Sequence, residues 1–215
     1  MKRFLLRSLP LLCGVVAAAC AGAAPAQSRV WDFQAYLDDK PIGHHRFTLS
    51  AQGDTRELKS ETRFVVKLLF LTAYRYTHDA VEHWRGDCLE RLRAQTDDNG
   101  EHSTVEAAAA GDQLTVNTGK ARSTVAGCIM SFAYWNPQML RQTQLLNAQT
   151  GTLEQARIVD LGSETIAVRG APVTAKRYRI TGPKNPIDLW YSAGDEWLAL
   201  ESTVAGGRRL RYALK

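Results

Sequence analysis

From Val30 onward the chain alternates. In VWDFQAYL (residues 30–37), Val30, Asp32, Gln34 and Tyr36 fall on one side of an extended strand, and Trp31, Phe33, Ala35 and Leu37 on the other. In AKRYRI (175–180), Lys176, Tyr178 and Ile180 share a side against Arg177 and Arg179. A period of two is the mark of a strand with one buried and one wet face. Segments of this kind are separated by DDKPIG (38–43), AQGD (51–54), DDNGE (97–101), AGDQ (110–113), RGAP (169–172), SAGDE (192–196) and AGGR (205–208). Their Gly, Asn, Asp and Pro supply the positive or fixed φ that tight turns require. The pattern predicts about a dozen strands with short connections, so that sequential neighbours run antiparallel. The predicted fold class is all-β: a long antiparallel meander curled into an open barrel or half-barrel, since so long a sheet must curl or split.

Two stretches break the alternation. RFVVKLLFLTAYRY (63–76) is apolar on both faces, with Phe64, Val66, Leu68, Phe70, Tyr74 and Tyr76 on one and Val65, Leu69, Leu71 and Ala73 on the other. A row of aliphatic side chains left in water invites aggregation, so this region is expected to be covered on both sides or to face a cavity holding an apolar guest. CIMSFAYWNP (128–137) packs a cysteine and three aromatics into ten uncharged residues. Its end predicts a short helix from Pro137 to about Gln142, capped by Asn136, because proline's missing N–H costs nothing at the first helical position. Leu145 and Leu146 then begin another extended piece. Phe132 and Tyr134 are expected to pack on the concave sheet near Trp190 or Tyr191, making CIMSFAYWNP a pinned aromatic plug.

The N-terminus bears on compartment. Lys2, Arg3 and Arg7 precede an apolar run from Leu9 to Ala19, and Ala24-Pro25-Ala26 offers small residues where a signal peptidase reads. Residues 1–26 therefore read as a signal peptide, and 27–215 as a single β-rich domain that is periplasmic or secreted after cleavage near Ala26. Lipidation at Cys20 is the alternative. Losing three basic residues lowers the net charge from +5 to +2, and no basic patch interleaved with aromatics suggests nucleic acid. Cys88 and Cys128 remain, an even pair in an oxidising compartment, which favours a disulfide over two buried thiols. Residues 169–215 hold nine basic and four acidic side chains. This excess suggests a basic rim and peripheral membrane contact.

Catalytic patterns are sparse. There is no GxSxG, phosphate-binding loop or dinucleotide glycine motif in the chain. His44 and His45 point to opposite faces of a strand, so at most one lines a site. His78 and Glu82 share a face that His83 leaves. No metal site and no cofactor is expected, and Glu61, Glu82, Asp188 and Glu201 are carboxylates able to meet across strands.

The motifs YLDDKPIGHHRFTL, VEHWRGDCLERLRAQTDDNG, CIMSFAYWNP with LLNAQTG, DLWYSAGDEWLALES and the closing LRYAL resemble an uncharacterised family of exported bacterial proteins, a domain of unknown function. That family resembles, more distantly, the half-barrels of periplasmic lipoprotein carriers, whose concave face takes acyl chains. The resemblance carries no catalytic residue. The functional expectation is a carrier for an apolar or acylated small molecule, with Phe70, Tyr74, Phe132, Tyr134, Trp135, Trp190 and Tyr191 as its binding side chains. The alternatives are a small enzyme using a carboxylate or His45 in the same cavity, or an envelope interaction module.

Overall fold

The computed structural model describes residues 27–69 and 71–215. The signal-peptide reading, Cys20 and Phe70 lie outside the described residues. The first eight strands are β1 (Gln27–Leu37), β2 (Lys40–Gln52), β3 (Thr55–Leu68), β4 (Leu71–Arg85), β5 (Cys88–Asp98), β6 (Glu101–Ala110), β7 (Gln113–Asn117) and β8 (Arg122–Ala126). A crossing segment carries β9 (Gln144–Leu146) and β10 (Leu153–Gln155). The chain then makes β11 (Arg157–Val168), β12 (Ala171–Thr181), β13 (Ile187–Tyr191), β14 (Trp197–Val204) and β15 (Arg208–Leu214).

Thirteen of these strands form one antiparallel sheet, in the order β11-β12-β13-β14-β15-β1 and on through β8. The meander is thus broken in sequence but not in space. The first and last strands pair, from Phe33 opposite Leu214 to Leu37 opposite Leu210. The sheet is left open between β8 and β11, the two strands that flank the crossing segment. Register shifts at Ala35/Tyr36, Val66/Lys67, His83/Trp84 and Trp190/Tyr191 put extra residues into one strand of a pair. Such bulges bend a strand and raise its twist, which curls the sheet.

The alternation in sequence becomes the inner face. Trp31, Phe33, Ala35 and Leu37 are all buried, while Val30 is exposed. Trp197 of β14 sits at the centre of the aromatic packing, with ring centroids 4.3 Å from Phe33, 5.1 Å from Phe47 and 5.2 Å from Tyr134. Rings at these separations add to the area they bury.

Residues 127–156 run from one open edge to the other across this concave face. The disulfide Cys88–Cys128, with Cα atoms 4.9 Å apart, ties the start of the segment to β5, and Leu89 N donates to Ile129 O nearby at 2.9 Å. Met130, Ala133, Met139, Leu145 and Leu146 are almost fully buried. A 3-10 turn forms at Pro137–Arg141, with the Asn136 side chain accepting from Gln138 N. The same side chain donates to Asp87 Oδ1 at 2.9 Å, so one residue both caps the turn and moors it to the β4–β5 loop.

Two expectations need correction. The apolar stretch 63–76 is not one strand. It turns back between Leu68 and Leu71, with Leu69 at φ 56°. No turn-forming residue marks the reversal, so the pattern concealed it. Nor is the stretch covered throughout: Phe64 is buried, but Leu69 and Leu71 at the hairpin tip are 87% and 76% exposed. The basic C-terminal rim is also largely neutralised. Six of the nine cations make ion pairs, with Arg177 and Arg179 on Asp188, Arg208 on Asp38, Arg209 and Arg211 on Asp39, and Lys215 on Asp32.

Candidate functional site

Between the inner face of β2–β4 and the crossing segment lies a cavity of about 310 Å³. Register determines what its floor displays. His45, Thr62, His78 and Thr96 form one row across β2 to β5; Phe47, Ser60 and Ala80 form the next; Leu49, Leu58, Glu82 and Leu92 form the third. Because alternate residues face inward, His78, Ala80, Glu82 and Trp84 all do so, and His83 points to solvent. Ser131, Phe132, Tyr134, Asn147 and Glu154 of the crossing segment and Lys184 and Ile187 near β13 complete the walls.

The two imidazoles and the carboxyl on the floor each meet a polar neighbour. His45 Nε2 lies 2.7 Å from Ser60 Oγ and its Nδ1 3.3 Å from the Tyr212 hydroxyl, with its ring stacked on Phe47 at 3.9 Å. His78 Nδ1 bonds Thr96 Oγ1 at 2.9 Å, directly across the β4–β5 pair. Trp84 Nε1 donates to Glu82 Oε2 at 3.0 Å. Burial disfavours the charged form of every one of these groups. It pushes the Glu82 carboxyl up to about 7, against the opposing pull of Trp84 and of the Ser131 hydroxyl, which lies beside it without a well-aligned hydrogen bond. Burial drives His78 down to about 4 and His45 well below its ordinary value. At neutral pH the floor holds two uncharged imidazoles and a carboxyl near its midpoint.

Of the side chains expected to bind a ligand, Phe132 and Tyr134 line this cavity. The other described members of that set lie elsewhere. Trp135 packs edge-on against Trp84, with the Arg56 guanidinium 4.9 Å from its ring. Trp190 donates to Glu164 on β11 and carries Arg177 on its face. The Tyr191 hydroxyl donates to the backbone oxygen of Tyr134 at 2.8 Å, which fixes the plug but leaves its own ring against Tyr178. Tyr74 sits beside Asp98, away from the cavity. Among the other carboxylates, Asp188 and Glu201 do meet across β13 and β14, but Arg177, Arg179 and Arg209 neutralise them, which makes the pair structural. Glu61 is exposed. Among the described residues no group of three His, Cys, Asp or Glu side chains is placed to hold a metal ion.

The sequence held a signal for the floor. Counting back by twos from a buried Trp84 gives Glu82, Ala80 and His78, and from Phe47 it gives His45. From Phe64 it gives Thr62, Ser60 and Leu58, all buried on the same face of β3, whereas Glu154 had no such anchor.

An open antiparallel sheet curled about a crossing segment, with a mixed polar and apolar cavity beneath it, defines a β-barrel-like protein. The chain belongs to the family described as domain of unknown function (DUF6134), whose model matches residues 33–215. No curated protein matches it. Among solved structures it is similar to the beta-barrel-like protein of domain of unknown function DUF1849 from Brucella abortus, with a TM-score of 0.60 and 11% identity. That match covers 89% of this chain and 95% of the other. At such low identity the likeness is one of fold.

Proposed function

We propose that this is an exported protein that binds a small amphipathic guest, of the apolar or acylated class, in the cavity beneath the crossing segment, and carries it without chemistry. The observation behind this reading is the cavity's division: Phe47, Leu58, Ala80, Phe132 and Ile187 supply apolar surface, while His45, Ser60, His78, Glu82 and Ser131 supply polar atoms. Its volume is at the small end of the roughly 300–1,000 Å³ common for such sites. Export is supported by the basic and apolar N-terminus and by the disulfide, a bond that persists in oxidising compartments. The exposed Leu69 and Leu71, flanked by Lys67 and Arg75, support peripheral contact of the β3–β4 tip with a membrane. Native mass spectrometry of protein purified from the periplasm tests the reading. A non-covalent organic adduct released on denaturation is expected. Protein that is empty in every preparation, and binds no member of an amphiphile panel, would refute it.

The Ser60–His45 pair favours one other reading, acyl transfer with Ser60 as nucleophile and His45 as base, oriented by Tyr212. Covalent labelling of Ser60 by a fluorophosphonate, abolished in His45→Ala, is the result that would establish it.

A further inference from the structure

We infer that the head group selected by this cavity is a protonated amine, for which Glu82 supplies the counter-charge and Ser131 a neutral acceptor, in a pocket also lined by Phe47, Phe132 and Tyr134. The inference rests on the binding reading above and names the chemistry of the guest.

The first support is geometric. Glu82 is buried in the cavity wall between Leu58 and Leu92 on the neighbouring strands. A carboxylate offers about four acceptor positions, and Trp84 Nε1 is the one well-aligned donor it has among the described residues. The second is an orphan. Ser131 Oγ is 1% exposed by residue, lines the same cavity beside the Glu82 carboxyl, and has no well-aligned hydrogen-bond partner among the described residues, which leaves its acceptor positions free. Buried polar atoms are satisfied in nearly all folded proteins, so an unsatisfied one on a cavity wall marks the place of a missing partner. An ammonium offers three donors, enough for the carboxylate and this hydroxyl together. Cations also associate with aromatic rings, and Phe132 and Tyr134 line the cavity.

Charge selects among head groups. The titratable groups facing the cavity are His45 from β2, His78 and Glu82 from β4, Tyr134 and Glu154 from the crossing segment, and Lys184 from the loop before β13. Burial keeps both imidazoles uncharged and the Tyr134 phenol protonated. No imidazolium therefore competes for Glu82, and no charged neighbour shifts its titration. A bound cation would return the carboxyl toward its ordinary ionisation, whereas a bound anion would oppose it. Lys184 is exposed and Glu154 is held by Asn147 Nδ2 at 2.7 Å, so the remaining charges are of opposite sign.

The test compares hexylamine, hexan-1-ol and hexanoate by isothermal titration calorimetry, on the protein and on Glu82→Gln. Hexylamine is expected to bind tightest. Its affinity should climb by about tenfold per pH unit between about pH 5.5 and 7 and level off above, because binding requires release of one proton from Glu82. In Glu82→Gln the climb should vanish and the preference for the amine should fall at least about tenfold. The parent's pH slope is a readout that does not depend on the variant folding. Hexanol or hexanoate binding as tightly as hexylamine, or a flat amine profile, would overturn the inference while leaving the binding reading intact. Failure of all three to bind would overturn the inference, and with protein empty in every preparation and blind to the amphiphile panel it would remove the binding reading as well.

Discussion

Replacing Glu82 by Gln should stabilise the protein, and only as pH rises. The Glu82 carboxyl is buried, and burial lifts its pKa from 4.5 to about 7. A carboxyl titrating higher in the folded chain than in the unfolded one holds more protons when folded. Between the two values stability therefore falls with rising pH. The gap of roughly 2.5 pH units corresponds to about 3 kcal/mol lost at and above pH 7. Glutamine preserves the shape and the acceptor oxygen for Trp84 Nε1, and its amide can donate to the neighbouring Ser131 Oγ. It removes only the ionisation. The histidines act in the opposite sense. With His78 at about 4 against an ordinary 6.5, the unfolded chain binds the extra proton, so stability rises with pH through that window, and His45 adds to the rise. In the parent these slopes oppose the Glu82 slope, so the difference between variant and parent is the quantity to measure. Urea denaturation across about pH 4 to 8 should give a difference near zero at the acid end, growing to about 3 kcal/mol in favour of Glu82→Gln at the alkaline end. A difference that does not change with pH, or a variant less stable at about pH 8, would show that the carboxyl is solvated or already paired, and would refute the account of the site.

Removing the disulfide by Cys88→Ser with Cys128→Ser reopens a loop of 40 residues and should cost about 4 kcal/mol in the chain-entropy model, read as a shift in the denaturation midpoint. Trp197→Ala empties the centre of the aromatic packing and should cost about 3–5 kcal/mol, with the near-ultraviolet circular dichroism of the folded state lost or flattened. Gly43→Ala would drive a Cβ into the Arg63 carbonyl oxygen, at φ +145°. It should cost at least about 2 kcal/mol and weaken amide protection along the β2–β3 pair, where an unchanged exchange pattern would count against the close approach.

The plug was partly legible before the structure. Its cysteine, its capping Asn136 and its Pro137 are local signals, and they place the disulfide and the short turn where the structure has them. Its neighbours were legible only in part: Tyr191 does meet it, donating to the Tyr134 backbone oxygen. The Tyr134 ring packs tilted against Trp197 and not on Trp190, at the point where the unpaired Leu198 shifts the register of β14 against β13. Likewise, the reversal at Leu69 uses no Gly, Asn or Pro, so an apolar run conceals a hairpin tip.

What the sequence determined by itself is what a strand determines by itself: which residues share a face, and where the chain can turn. Period two put Trp31 and Phe33 inside, and His78 and Glu82 on one side with His83 on the other, since successive side chains on a strand must diverge. The tertiary structure alone decided that β1 would pair with β15 and that the sheet would stay open between β8 and β11. It also decided that residues 127–156 would cross that opening over a polar floor. These pairings join residues far apart in the chain and leave no mark on local composition. The ionisation of Glu82 follows the same division, because its cause is the pair of leucines that register brings from β3 and β5 to either side of it.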